Sequence, residues 1–399
     1  MVTNLRAVWL LAPGKLEMRE TEDIEPGRGE VKVRVKAVGI CGSDVNYYNG
    51  INSWALHTIG DNPLLPPSIL GHEVAGEIVE VGEGARRKVG ERVGIMAMLP
   101  CNECEQCRRG RYNLCSHVLH MGHDGNWSGT GLPHNPGGYA DYVTVKDFQA
   151  VPIPDSVSYE DATQLDGTAV AVHALRRANI FPGDTVAVIG AGPIGLLALQ
   201  VAKAYGAGGV MAVDVEEAPL KVAKELGADI VVNANEEDPV EAARQFSPGE
   251  KYDQGVDLVL NTVGGETAVE GLKMLRRGGK ELLFAGLLHT LKDFDMMLLG
   301  GERELTSTAN NQPEDYPIGV KLMGEGKVRA KPFITHVFSL DEYQKAFEVS
   351  LNKGKYGAIK VVMRPRGRTG PIALRTWLSR SGNPFLSRVA LVYRGTRKA

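Results

Sequence analysis

Cysteine is scarce in this chain, five residues in 399, and the count is odd. Four of the five crowd into one short run, so a disulfide framework is a poor reading and a reducing compartment a better one. Charge of either sign is not in excess. A formal net charge of -3 gives no electrostatic reason to expect a nucleic-acid partner or an anionic membrane. No long apolar run is uninterrupted: Val186 to Ala202 is broken by Gly190, Gly192, Pro193 and Gly195, which argues against a membrane span. The apolar stretch Val8–Ala12 is too short for a signal segment and runs into Pro13-Gly14, so it reads as a first β-strand. Acidic residues are missing altogether from Arg366 to Ala399, a segment holding Arg366, Arg368, Arg375, Arg380, Arg388, Arg394, Arg397 and Lys398. With no helical or strand period, that tail reads as a disordered extension rather than a basic arm for an acidic partner. Hydrophobic content of 43% and charged content of 23% fit a soluble globular protein, and the length allows two domains with real cores. The expected compartment is the cytoplasm and the expected partner a small molecule.

What is present is metal-binding chemistry. Cys101, Cys104, Cys107 and Cys115 follow the spacing C-x2-C-x2-C-x7-C. Four thiolates at such intervals wrap one tetrahedral Zn²⁺ and leave it no open position, which defines a structural site. The fifth cysteine, Cys41, lies in Val38-Gly-Ile-Cys-Gly-Ser-Asp44, and His72 follows in Gly71-His-Glu73. These two suggest a second, open site where chemistry can occur.

The rhythm of the chain changes part way along. Early segments alternate at period two, as in Glu30–Val38, with further strands expected at Val74–Val81 and Glu91–Ala97. From about Val157 strands and helices alternate. Strands are expected at Thr185–Ile189, Val210–Asp214, Ile230–Asn233, Val256–Asn261 and Glu281–Ala285. Helices are expected at Pro193–Tyr205, Pro219–Leu226 and Glu266–Leu275. Alternating β and α units build a doubly wound parallel sheet. The last part, from Pro332 to Val362, is less regular. The layout implied is α/β: a β-rich domain divided in sequence, with a nucleotide-binding domain inserted into it.

That insertion carries Gly190-Ala-Gly192-Pro193-Ile194-Gly195, a G-x-G-x-x-G run between an apolar strand and a helix. Gly190 makes the turn, Gly192 lets backbone approach a pyrophosphate, and Gly195 lets helix and strand pack closely. Backbone N–H groups and the helix dipole then face the phosphates. Asp214 stands at the end of the next strand, placed to accept from a ribose 2′-hydroxyl. Glu216 and Glu217 follow it, and no arginine there would welcome a 2′-phosphate, so NAD is expected over NADP.

Taken in order, Gly39-Ile-Cys-Gly-Ser-Asp44, Gly71-His-Glu73, the four-cysteine run, Gly137-Gly-Tyr-Ala-Asp-Tyr142 and the glycine motif carry a specific likeness. The chain resembles the zinc-dependent medium-chain alcohol dehydrogenases, in particular the sorbitol (L-iditol), threonine and butanediol dehydrogenase branch, over about residues 5 to 363. The resemblance implies a GroES-like catalytic domain at 1–160 with the structural zinc lobe and a Rossmann NAD-binding domain at 161–298. The chain would return to the catalytic domain at 299–365 and end in the tail 366–399. It implies two zinc ions per chain, NAD as cofactor, and a homodimer or homotetramer. Cys41 and His72 match catalytic-zinc ligands. The third ligand is either Asp166, where the branch carries a carboxylate, or Glu73, the acidic neighbour that ligates zinc or exchanges with water. Cys101, Cys104, Cys107 and Cys115 match the structural lobe. In the family's chemistry zinc lowers the pKa of an alcohol, Ser43 receives its proton, and hydride passes to nicotinamide.

Several positions depart from the family. Asn46, which cannot titrate, replaces a relay histidine. Gly167 follows Asp166 where proline is usual, Asn311 stands at a polyol-binding arginine, and Pro219 replaces a basic residue after Asp214. The loop Tyr47–Ser68, with Trp54, His57 and Asp61, is longer than in sorbitol-type enzymes. Substrate choice is expected in that loop and around Asn310–Asn311. The implied activity is NAD-dependent oxidation of a secondary alcohol of a polyol, sugar alcohol or cyclitol. Threonine- or butanediol-type activity is an alternative, and a non-catalytic nucleotide-binding protein of the same fold is the alternative from another class.

Overall fold

The structure, a computed structural model, describes residues 5–21, 23–53, 56, 67–123, 137–250, 253–284, 290–292 and 294–365. Trp54, His57 and Asp61 and the tail from Arg366 lie outside the described residues.

The early part of the chain forms β1 (Leu5–Ala12), β2 (Lys15–Thr21), β3 (Glu30–Ile40), β4 (Ser68–Ile69), β5 (Glu73–Val81), β6 (Arg92–Ile95), β7 (Met98–Leu99), β8 (Leu119–His120), β9 (Tyr142–Lys146) and β10 (Ala150–Pro152). The short helix α1 (Gly42–Tyr48) follows β3. Among the described residues β3 is the hub, pairing antiparallel with β5, with β9 and with a late strand, β18 (Lys360–Arg364). β18 in turn runs parallel to β17 (Ile334–Ser339), so the end of the chain completes a sheet begun near its start. The alternation read in β3 holds on one face, where Val31, Val33 and Val35 enter the core. The other face is not solvent. Lys32 is only 3% exposed, and Asp23 and Glu80 neutralise it while the Tyr142 ring lies beneath its ammonium.

Between β10 and β17 the chain builds a six-stranded parallel sheet from β11 (Thr185–Ile189), β12 (Gly209–Asp214), β13 (Ile230–Asn233), β14 (Val256–Asn261), β15 (Leu275–Leu283) and β16 (Glu304–Ser307). Its order, β13-β12-β11-β14-β15-β16, is that of a doubly wound dinucleotide fold. Period-two burial divides each strand between two cores. Val186 and Val188 face one, with Leu196 and Leu197 of a helix; Ala187 and Ile189 face the other. The helices are α2 (Leu165–Ala178), α3 (Pro193–Ala204), α4 (Glu217–Glu225), α5 (Pro239–Phe246), α6 (Thr267–Met274) and α7 (Asp315–Gly324).

Several elements differ from expectation: α2, β16 and α7 occupy stretches where none was expected, and two further differences have a clear local cause. Helix α5 occupies a stretch read only as the gap between two strands. Asp238 caps it, accepting from the N–H groups of Val240 and Glu241, and proline fills its first turn. Strand β15 begins at Leu275 rather than Glu281, because Leu275 already pairs with Val256 before an irregularity in the ladder.

Candidate active site and metal centres

Cys41 leaves β3 as the N-cap of α1, and the capping is done by Asp44. Its carboxylate accepts from the Cys41 N–H at 2.9 Å, from the Gly71 N–H at 3.1 Å and from the Tyr139 hydroxyl at 3.0 Å. Asp44 is fully buried. It therefore ties the Cys41 turn to the segment carrying His72, a job the sequence did not reveal although Asp44 closes the quoted motif. Gly71 sits at φ +92°, and a β-carbon there would strike the Tyr139 ring. The result brings one ligand atom each from Cys41, His72 and Glu73 within 4.8 Å of one another.

Burial opposes the charged form of His72, yet the Asp44 carboxylate and the Cys41 sulfur hold its pKa well above the usual imidazole value. Burial likewise opposes ionisation of Asp44, while His72 and His123 hold its pKa well below the carboxylate range. A field that favours a proton on a buried imidazole also favours a metal cation. Thiolate, imidazole and carboxylate together form a donor set suited to Zn²⁺ with a position left open. Glu73 is braced from behind: buried Lys360 donates to it at 2.6 Å and Gln164 at 3.1 Å. A β-carbon on Gly39 would fall 1.9 Å from a Glu73 oxygen, so glycine there makes room for the carboxylate.

Asp166 lies outside that three-residue set. It stands in the first turn of α2, where its Oδ1 accepts from the Tyr316 hydroxyl and, at 3.2 Å, from Asn311. Burial and the nearby Asp166 charge push the Tyr316 pKa well above the phenol range, so the phenol keeps its proton and donates. Asn311, expected among substrate contacts, is 2% exposed and bonds to Asp166 instead. The Ser43 hydroxyl is buried and, among the described residues, has no hydrogen-bond partner, while Asn46 lies on the exposed side of α1.

The four-cysteine run folds as a lobe whose sulfurs lie 3.9 Å (Cys101–Cys107), 3.9 Å (Cys104–Cys115) and 3.4 Å (Cys115–Cys101) apart. A tetrahedral zinc with Zn–S near 2.3 Å places its sulfurs about 3.8 Å apart. Backbone N–H groups of Cys101, Cys104, Cys107 and His117 already point at sulfur. Such donors from Cys107 and Ser116 pull the Cys104 thiol down to about 6, and burial pushes Cys107 up to about 12.

In the glycine turn, Gly190 takes φ +91° and a β-carbon there would meet Thr262. A β-carbon on Gly192 would meet open space, and one on Gly195 would lie 1.8 Å from the Gly190 carbonyl. Pro193 and Ile194 open α3, both half-buried. Asp214 does more than expected. Its carboxylate accepts from the N–H groups of Ala191 at 2.7 Å, Val215 at 2.8 Å and Glu216 at 3.0 Å. It thus fixes the turn, and two oxygens with about four acceptor sites still have capacity for a hydroxyl.

Two residues that the sequence reading passed over lie beside His72. His120 and His123 are 6% and 3% exposed, and with His72 they bring a second set of three ligand nitrogens within 4.8 Å. The spacing His120-Met-Gly-His123 was the available signal.

Comparison with known proteins agrees with this geometry. Residues 27–155 match the alcohol dehydrogenase GroES-like domain and residues 193–325 the zinc-binding dehydrogenase family. Sorbitol dehydrogenase of Bacillus subtilis (strain 168) is 35% identical over 88% of this chain and 94% of its own length. An Escherichia coli CFT073 alcohol dehydrogenase solved with NADH superposes with a TM-score of 0.78 at 27% identity, covering 91% of this chain and 99% of that one. A Sinorhizobium meliloti 1021 protein solved with NADP superposes at 0.79 with 29% identity, covering 91% and 100%. The chain belongs to the zinc-binding, GroES-like alcohol dehydrogenases. It is an oxidoreductase of that class, and the non-catalytic alternative falls away. No helix among the described residues is long and apolar enough to cross a membrane.

Proposed function

We propose that the chain oxidises a secondary hydroxyl of a polyol, sugar alcohol or cyclitol to the ketone, passing hydride to NAD. The observation that carries this reading is the meeting of Cys41, His72 and Glu73 beside the unpartnered Ser43 hydroxyl. Cys41, His72 and Glu73 would hold the catalytic zinc, with Asp166 as a nearby carboxylate, and Cys101, Cys104, Cys107 and Cys115 the structural one. Zinc in the first position supplies Lewis acidity that lowers the pKa of an alcohol. Ser43 would accept a hydrogen bond from the alcohol hydroxyl and, as the alkoxide forms, take that proton while passing its own hydroxyl proton on to water or the cofactor ribose, since Asn46 cannot titrate. Glu73 tunes the site through Lys360, whose ammonium is kept charged against burial chiefly by Glu73 itself. Gly190, Gly192, Pro193, Ile194 and Gly195 form the pyrophosphate turn, and Asp214 accepts from the adenosine ribose. The printed name of the Bacillus relative supports a polyol as substrate. The acidic run Asp214-Val-Glu-Glu217 favours NAD, although relatives of this fold are solved with either cofactor.

The test is NADH formation, followed by its ultraviolet absorbance, with a panel of polyols, cyclitols, sugar acids, threonine and 2,3-butanediol. A hit abolished by a chelator, restored by zinc and lost in Cys41→Ala is the expected result. Activity that survives Cys41→Ala refutes the assignment.

A further inference from the structure

We propose that His120 and His123, together with His72, form a second position for a divalent metal ion, built from nitrogen donors alone and adjoining the Cys41–His72–Glu73 position. The inference rests on the reading of that neighbouring site, but its evidence is separate. All three imidazoles are buried, at 4%, 6% and 3% exposure for His72, His120 and His123. Their rings are packed together. His120 and His123 stack with centroids 4.6 Å apart, and His72 meets them edge-on at 5.1 and 4.8 Å.

The tautomers follow from the partners. The His120 Nδ1 faces the Met121 carbonyl at 3.1 Å. A carbonyl only accepts, so Nδ1 carries the proton and Nε2 keeps the lone pair that a metal needs. Among the described residues neither ring nitrogen of His123 has a hydrogen-bond partner, nor has Nδ1 of His72. Asp44 is close to both, at 3.7 Å from His123 Nε2 and 3.6 Å from His72 Nδ1, within ion-pair range but beyond a hydrogen bond. Buried polar nitrogens without partners carry a desolvation cost that a bound ion would offset.

The backbone presents these rings firmly. His120 ends β8, held to Met98 of β7, and the Met121 N–H bonds back to the Ala97 carbonyl. The His123 N–H then closes a turn on the His120 carbonyl at 3.1 Å, and Tyr47 stacks on the His123 ring. The nitrogens, within 4.8 Å, need only small side-chain movements to reach metal–nitrogen bonds of about 2.0–2.1 Å.

His72 belongs to both positions, and that sharing has a consequence. A neutral imidazole offers one lone pair, since its other nitrogen holds the proton. The two positions therefore exclude each other, and donor chemistry selects between them. Thiolate and carboxylate beside imidazole retain Zn²⁺ in the first position. Three imidazoles can also hold Zn²⁺, but Zn²⁺ has the thiolate-bearing position to prefer, whereas Ni²⁺ and Cu²⁺ are well matched by nitrogen donors alone; Mg²⁺ and Ca²⁺ are rejected. The enzyme's catalytic ion would thus sit in a different place according to which metal is supplied.

The test uses full-length protein that retains its structural zinc, with Ni²⁺ or Zn²⁺ returned to the other site. X-ray absorption at the nickel edge reads the donors, and calorimetry reads the affinity. The expected nickel shell is imidazole nitrogen without sulfur. His123→Phe keeps the ring on Tyr47 but removes both nitrogens, and should weaken Ni²⁺ about tenfold or more while Zn²⁺ binding changes far less. His120→Phe should act alike, giving a second variant should one fail to fold. Cys41→Ala should abolish zinc-dependent turnover yet leave nickel binding in place. A nickel shell containing one sulfur, or nickel affinity lost in Cys41→Ala and unmoved in His123→Phe, overturns the second position while leaving the proposed function intact. Zinc-dependent turnover in Cys41→Ala would instead overturn the proposed function.

Discussion

Glu281 shows how much one buried carboxyl can govern. It is fully buried on β15, where Asn261 donates to one oxygen at 2.8 Å and the other oxygen has no partner. Burial pushes its pKa from the ordinary 4.5 to about 8, against the pull of Asn261. An acid whose pKa is higher folded than unfolded keeps its proton longer in the folded state. Its contribution to stability is then full below 4.5 and declines as pH climbs toward 8. Glu281→Gln, which mimics the protonated form, should flatten that decline and melt above the wild type at alkaline pH. The gain should be on the order of a few kcal/mol, reduced by any water that reaches the site. Melting curves across the pH range decide it, and an unchanged slope would rule it out. Asp214 gives a second residue-scale prediction. Asp214→Gly should narrow the preference for NAD over NADP. Because Asp214 also holds the Ala191 N–H, it should raise the KM for both cofactors as well. Steady-state kinetics with the two cofactors would separate these effects, and an unaltered preference would show that the ribose lies elsewhere.

Among elements, legibility followed local signals. Strands β13 and β14 match their expected limits to the residue, because each is a short apolar run bounded by turn residues. Helix α5 escaped notice although Val240, Ala243 and Phe246 recur at helical spacing and pack on one core, because Pro239-Val-Glu-Ala-Ala-Arg-Gln-Phe246 is only eight residues long, too short for the period to stand out. Asp238-Pro239 nonetheless spelled out its cap. The cysteine lobe was the most readable element of all, since its four ligands lie within one short run and no distant residue is needed to complete the set. Cys104→Ala should therefore act on stability, removing one of the four donors proposed for a closed site, since metal binding at such a site couples to folding. A loss of a few kcal/mol, roughly 5 °C or more in melting temperature, is expected with zinc content falling by one ion per chain. Differential scanning calorimetry with metal analysis checks both, and an unchanged melting curve would refute a structural role.

The candidate active site belongs to the molecule as a whole, which is why the sequence revealed only part of it. Cys41, His72, Glu73 and Ser43 sit in compact motifs and could be picked out. Their supports come from far along the chain: Tyr139, Gln164, Tyr316 and Lys360 reach the same region through sheet pairing and the packing of α2 against α7. No local pattern announces that Lys360 on β18 will meet Glu73 on β5; the meeting requires β18 and β5 to flank β3. The same logic predicts an order of metal loss. In the cysteine lobe four sulfurs would close the coordination shell of the proposed ion, and backbone N–H groups point at the sulfurs. At Cys41, His72 and Glu73 only three side chains meet, one position stays open, and Lys360 competes with a cation for the Glu73 carboxylate. Graded chelation should strip the open site first, abolishing turnover while the melting temperature changes little. Only a stronger or longer treatment should empty the lobe and collapse stability. Parallel measurement of activity, zinc content and melting temperature on one chelator series tests this order. Simultaneous loss of all three would mean that the two centres are not independent, and that the network around Asp44 and β3 couples the catalytic ion to the fold itself.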